Sequence, residues 1–90
     1  MTGRQVFYEG RVQGVGFRYT VRHIAKGFDV IGWVKNLVDG RVELQVSGEE
    51  GEVEEFLTAV LESELNSYIK GEHRQTVAPL TGVKGFEIRF

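Results

Sequence analysis

One short segment combines glycines and an arginine in a spacing suited to holding an anion. It spans residues 10–18 and reads GRVQGVGFR. Glycine adopts positive φ angles at low cost, so Gly14 and Gly16 let consecutive backbone N–H groups turn inward, and a helix beginning just after them adds partial positive charge. Arg18 supplies a planar fork for two phosphate oxygens. We therefore predict a phosphate-binding loop made of Gln13, Gly14, Val15, Gly16, Phe17 and Arg18.

The segment differs from two common phosphate-binding motifs. No Gly-Lys-Ser/Thr follows it, which excludes a Walker loop, and Tyr19 occupies the position of the last glycine in a Gly-x-Gly-x-x-Gly fingerprint. On the pattern alone, a tight turn with a solvated arginine is an equal alternative.

The elements that position the loop follow from hydrophobic periodicity. Strands are predicted over residues 5–11, 30–37, 41–48 and 85–90, with a weaker one over 72–77. Helices are predicted over residues 17–28 and from about 50 to 65, the second opened by a capping box of Ser47 and Glu50. Asp39-Gly40 predicts a hairpin between the second and third strands.

The order β-α-β-β-α-β predicts a ferredoxin-like α+β sandwich. We expect an antiparallel sheet of four to five strands with two helices on one face, in a single domain spanning residues 1–90. A right-handed crossover makes strands one and two parallel, with strand three between them, so their C-terminal ends share one edge of the sheet. Arg18 and Asn36 should therefore be neighbours.

Composition excludes several classes of protein. The 90 residues carry a net charge of −2, which argues against a nucleic-acid backbone as the main partner. No run approaches the roughly 20 apolar residues of a membrane span. There is no cysteine, and the two histidines, His23 and His73, have no metal-site spacing. We therefore expect a protein without a bound metal, and we expect it to be a monomer. The first residues also lack a secretory signal pattern, so we expect the protein in the cytoplasm.

Three segments make the chain resemble the acylphosphatases, which hydrolyse acyl phosphates to carboxylate and inorganic phosphate. They are GRVQGVGFR at 10–18, GWVKNLVDGRVELQVSG at 32–48 and GFEIR at 85–89. The resemblance implies an α/β sandwich, a small-molecule acyl phosphate as substrate, phosphate as product and inhibitor, and no cofactor. It also implies that residues 13–18 cradle the phosphate, that Arg18 is a phosphate ligand, and that Asn36 orients the attacking water.

Two other functions remain open at this point. One is a non-catalytic phosphate-binding or regulatory module, similar to the acylphosphatase-like segment of hydrogenase-maturation carbamoyltransferases. The other is an RNA-recognition sheet, which shares the element order but needs stacking aromatics on its third strand, where RVELQVSG has none. Residues 66–84 depart from the acylphosphatase pattern. A further hypothesis is that the carboxylate of Phe90 helps to hold Arg18.

Overall fold

The computed structural model describes the whole chain, Met1 to Phe90, as two α-helices and five strands. In chain order they are β1 (Thr2–Gly10), α1 (Phe17–Ala25), β2 (Val30–Asn36), β3 (Val42–Gly48), α2 (Glu50–Leu61), β4 (Ile69–Val77) and β5 (Phe86–Arg89). A short 3₁₀ helix, Glu64–Tyr68, precedes β4. Neither α-helix has the length and apolar character needed to span a membrane.

The five strands form one sheet in the order β4-β1-β3-β2-β5. Strand β3 is antiparallel to both β1 and β2, so β1 and β2 run parallel to each other, as the predicted crossover requires. The ferredoxin-like arrangement is confirmed. One detail differs from the prediction: the sheet is mixed, because β5 joins the outer edge of β2 in the parallel direction.

The core lies between the two helices and one face of the sheet. On β3, the alternate residues Val42, Leu44 and Val46 are fully buried, as the alternation of the sequence predicts. The ring of Phe56 on α2 contacts the rings of Phe28 and Phe86 at centroid distances of 5.9 and 5.5 Å. This aromatic cluster links α2 to the segment after α1 and to β5.

The first helix is shorter than predicted. It ends at Ala25 rather than near residue 28, because the N–H groups of residues 26–28 each bond to the carbonyl three residues earlier and close a turn. Strand β1 begins at Thr2, three residues earlier than predicted, and ends at Gly10.

The predicted capping box is wrong. Ser47 lies within β3 with its side chain fully buried, and its hydroxyl accepts a hydrogen bond from the N–H of Leu80 at 2.8 Å. The residue before α2 is Glu49, whose side chain forms no capping bond. The serine therefore secures the segment between β4 and β5 rather than the helix start.

Strand β4 is nine residues long, which exceeds the weak strand predicted over 72–77. Its apolar alternation is poor because it is an edge strand with charged side chains. Arg74 bonds to Glu72 on the same strand at 2.8 Å and to Glu54 of α2 at 3.1 Å. Ion pairing thus replaces part of the apolar contact that usually identifies a strand in sequence.

Candidate active site

The loop between β1 and α1 is anchored by its apolar side chains. Val12 is fully buried, Phe17 is 2% exposed, and Val15 packs against the core. Gly14 and Gly16 are exposed between them. Because the side chains point inward, the glycine backbone is left facing solvent.

Both loop glycines adopt left-handed conformations. Gly14 has φ 78° and Gly16 has φ 76°, and a Cβ at either position would meet no atom within 4 Å. Glycine is therefore required by backbone conformation rather than by lack of space. Such conformations arrange successive N–H groups into a concave anion-binding surface.

The N–H groups of this surface are free. Those of residues 12–16 donate to no carbonyl and to no side chain. The first N–H groups of α1 have no carbonyl one turn earlier within the helix, and no acidic residue lies in its first turn. The start of α1 and the loop together present unpaired donors and partial positive charge in one place.

Arg18 and Asn36 line the same small cleft at this loop. The cleft has a volume of about 130 Å³ and is lined by Val12, Gly14, Gly16, Phe17, Arg18, Tyr19 and Asn36. Strand register explains the meeting: Tyr8 near the end of β1 and Asn36 at the end of β2 both pair with Val42. No carboxylate lines the cleft.

Arg18 is held by the last two residues of the chain. Its Nη1 donates to the carbonyl oxygen of Arg89 at 3.1 Å, and its guanidinium carbon lies 4.7 Å from the centroid of the Phe90 ring. The parallel pairing of β5 with β2 causes this, because it brings the end of β5 to the edge where β2 ends. The contact differs from the hypothesis, since it uses a carbonyl and a ring rather than the terminal carboxylate.

Arg18 has no acidic partner. Arg4, Arg41, Arg74 and Arg89 each form an ion pair with a carboxylate, whereas Arg18, like Arg11 and Arg22, forms none. The remaining donors of its guanidinium are therefore available to an anion.

Asn36 presents an acceptor without a partner. Its Oδ1 is buried and receives no hydrogen bond from the protein. Buried polar atoms are nearly always paired, so an unpaired one on a residue that lines a cleft indicates a place for a water or ligand.

Two residues predicted to bind phosphate use their side chains elsewhere. The carboxamide of Gln13 donates to the carbonyls of Leu37 and Arg41 at 2.7 and 2.9 Å, which ties the loop to the β2–β3 hairpin. The side chain of Val15 packs toward the core. Only the backbone of these two residues faces the anion-binding surface.

The sequence interpretation missed two lining residues, Val12 and Tyr19. Tyr19 is 56% exposed, and its position directly after Arg18 is the signal that would have identified it. A larger cleft of about 450 Å³, lined by residues that include Arg22, Lys26 and Phe86, lies against the second half of α1. It lacks both the free loop N–H groups and Asn36.

Comparison with known proteins identifies the family of the chain. The acylphosphatase family model matches residues 4–88. An acylphosphatase of Rubrobacter xylanophilus is 40% identical over 85 residues, which cover 94% of this chain and 77% of the relative. An acylphosphatase of Archaeoglobus fulgidus is 37% identical over 89 residues, which cover 99% of this chain and 84% of the relative.

Solved structures show the same fold. The acylphosphatase from Bacillus subtilis superposes with a TM-score of 0.89 at 37% identity, covering 100% of both chains. A full-length HypF in a phosphate- and nucleotide-bound form matches with a TM-score of 0.87 at 32% identity, covering 99% of this chain and 12% of HypF. Family model, relatives and fold agree, and the chain belongs to the acylphosphatase family.

Proposed function

We propose that this acylphosphatase holds the phosphoryl group of an acyl phosphate on the N–H groups of residues 13–18 and on Arg18, while Asn36 directs the attacking water. The observation that carries the proposal is that Asn36 lines the same cleft as Arg18 and that its Oδ1 has no hydrogen-bond partner in the protein. The free loop N–H groups supply the remaining donors for the phosphoryl oxygens.

The chemistry matches what these groups offer. Water attacks phosphorus, the bond from phosphorus to the acyl oxygen breaks, and the carboxylate leaves with the bonding electrons. A carboxylate is a good leaving group, so no general acid is needed. Phosphoryl transfer depends mainly on positioning and charge stabilisation, which fixed N–H donors and one guanidinium supply.

Asn36 suits the orienting role because its amide is neutral. The carbonyl oxygen accepts a hydrogen bond from the water and thereby sets the direction of the oxygen lone pair. An amide does not remove the proton, so the proton of the water passes to a phosphate oxygen. Holding the water in line with the bond that breaks lowers the activation barrier, because the reacting atoms no longer have to meet in the right orientation by chance.

The pinning of Arg18 supports its role as phosphate ligand. The bond to the carbonyl of Arg89 and the stack on Phe90 restrict the guanidinium before any substrate arrives. Preorganised donors of this kind lose little conformational freedom on binding and require little reorganisation during the reaction.

The test is the rate of benzoyl phosphate hydrolysis with EDTA present. We expect wild-type activity to persist, and both Arg18→Ala and Asn36→Ala to lower kcat/KM by about 10²–10³-fold. Lys26→Ala, an exposed cation after α1, and Asn66→Ala, the other asparagine of the chain, are the controls and should retain activity. Circular dichroism checks that each variant is folded. A folded Asn36→Ala variant with wild-type kcat contradicts the orienting role.

The same assay tests the alternative of a non-catalytic phosphate-binding module. HypF contains a segment similar to this chain within a much longer protein, which makes that alternative concrete. Phosphate binding without turnover would support it, whereas the acylphosphatase relatives favour the enzyme.

We further propose that the protein works as a monomer in the cytoplasm and folds as one domain over residues 1–90, without nucleic acid or a membrane as a partner. Light scattering at assay concentration tests the oligomeric state, and coincident fluorescence and circular dichroism unfolding curves test the single domain.

A further inference from the structure

We propose that Tyr19, Val38 and Phe90 form an apolar rim around the cleft that binds the acyl group and favours acyl phosphates with apolar, planar acyl groups. This inference rests on the proposed function, because it assigns the part of the substrate that lies outside the phosphate cradle. The large hydrophobic side chains that the fold leaves exposed are these three and Met1.

Two of the three rim residues lie beside the proposed phosphate ligand. Tyr19 lines the cleft itself, and the ring of Phe90 lies 4.7 Å from the guanidinium carbon of Arg18. Val38 follows Asn36 by two residues, in the turn whose flanking carbonyls receive the Gln13 hydrogen bonds. Exposed apolar residues are normally scattered, so the presence of Tyr19 at the cleft and Phe90 at Arg18 indicates a binding surface.

The size of the cleft places the acyl group at this rim. At about 130 Å³ the cleft is small, compared with about 450 Å³ for the cleft against the second half of α1. With the phosphoryl group on the loop, the acyl carbon and its substituent must project past the lining residues. Tyr19 is the lining residue with a large exposed face, at 56% exposure.

The chemistry of the rim selects among acyl groups. A flat, apolar acyl group gains from stacking on the Tyr19 ring, whereas a methyl group is too small to cover it. The guanidinium carbon of Arg22 lies 5.6 Å from the centroid of the same ring, which restricts the ring on the surface.

The test compares benzoyl phosphate with acetyl phosphate, which share the bond that breaks. Each variant is compared with wild type on the same substrate, so differences in intrinsic reactivity cancel. We expect Tyr19→Ala to lower kcat/KM for benzoyl phosphate about three- to tenfold, the equivalent of one aromatic pair, mainly through a higher KM. Acetyl phosphate hydrolysis should change less than about twofold in that variant.

Two further variants and one binding constant complete the experiment. Tyr19→Phe should keep the wild-type preference, because the ring rather than the hydroxyl makes the contact, and Val38→Ser should reduce the preference by about twofold. The inhibition constant of inorganic phosphate should be unchanged in all three, which shows that the cradle is intact.

Equal losses on both substrates in Tyr19→Ala, or no loss on either, overturn the assignment of the rim. Failure of the proposed function is a different result: Arg18→Ala or Asn36→Ala would then hydrolyse both substrates at the wild-type rate.

Discussion

The side chain of Gln13 is expected to set the distance between Asn36 and the loop that joins β1 to α1. Its carboxamide donates to two carbonyls, Leu37 at 2.7 Å and Arg41 at 2.9 Å, on either side of the hairpin turn that follows Asn36. These two side-chain hydrogen bonds join the loop to the hairpin. Replacing Gln13 with alanine removes both bonds and leaves the loop backbone without this restraint.

The cost in stability should be small. Each neutral hydrogen bond contributes about 1 kcal/mol on average, but these are exposed. Both carbonyls also keep a second donor, because Gly40 N–H bonds to Leu37 at 3.2 Å and Leu37 N–H bonds to Arg41 at 2.8 Å. We therefore expect Gln13→Ala to lower the free energy of unfolding by about 1 kcal/mol.

The cost in rate should be larger. A displacement of about 1 Å between reacting groups lowers a rate by up to about 10²-fold, so kcat should fall about 10- to 100-fold. The inhibition constant of phosphate should change little, because the loop N–H groups and Arg18 remain. Gln13→Glu should be at least as slow, since a carboxylate donates no hydrogen bond to the two carbonyls.

A double-mutant cycle separates positioning from general destabilisation. If Gln13 acts through Asn36, then adding Gln13→Ala to Asn36→Ala should change kcat less than about twofold. Gln75→Ala, an exposed glutamine on β4, serves as the control. The reasoning is refuted if Gln13→Ala costs the same factor in both backgrounds, or if its kcat equals that of wild type.

Two further predictions concern stability and titration. Gly32→Ala should lower the free energy of unfolding by about 3 kcal/mol, because the added Cβ would overlap the carbonyl oxygen of Gln45. Gly51→Ala in α2 should raise it by about 0.5 kcal/mol, because the added Cβ meets no atom within 4 Å and alanine favours the helix. Urea unfolding measures both changes. Two hydrogen bonds lower the pKa of Asp39: the larger effect comes from the backbone N–H of Arg41 and the smaller from its guanidinium. The ionised carboxylate therefore stabilises the fold at a pH above its unfolded pKa, and this stabilisation is lost as the pH falls through the folded pKa. Arg41→Ala should raise that pKa only part of the way to the ordinary aspartate value, since the N–H remains; an NMR titration that reaches the full ordinary value contradicts this assignment.

Much of the site could be predicted from residue types and their order. Gly14, Gly16 and Arg18 lie within five consecutive residues. The backbone conformation of the glycines and the charge of the arginine therefore do not depend on distant parts of the chain. The order of strands and helices was equally readable, because each element carries its own periodicity. The right-handed crossover was then enough to predict that Arg18 and Asn36 lie at one edge of the sheet, and no side-chain contact had to be known.

Other features required the tertiary structure. The pairing of β5 with β2, the bond from Arg18 to Arg89, the bridge from Gln13 to the hairpin and the length of β4 all join residues far apart in the chain. Arg18 and Arg89 are separated by 71 positions, and no local pattern in either segment indicates the other. The sequence by itself determined which groups could bind phosphate and which strands would form. Tertiary structure decided how those groups are held, because strand register and edge choice depend on the packing energy of the whole sheet rather than on any one segment.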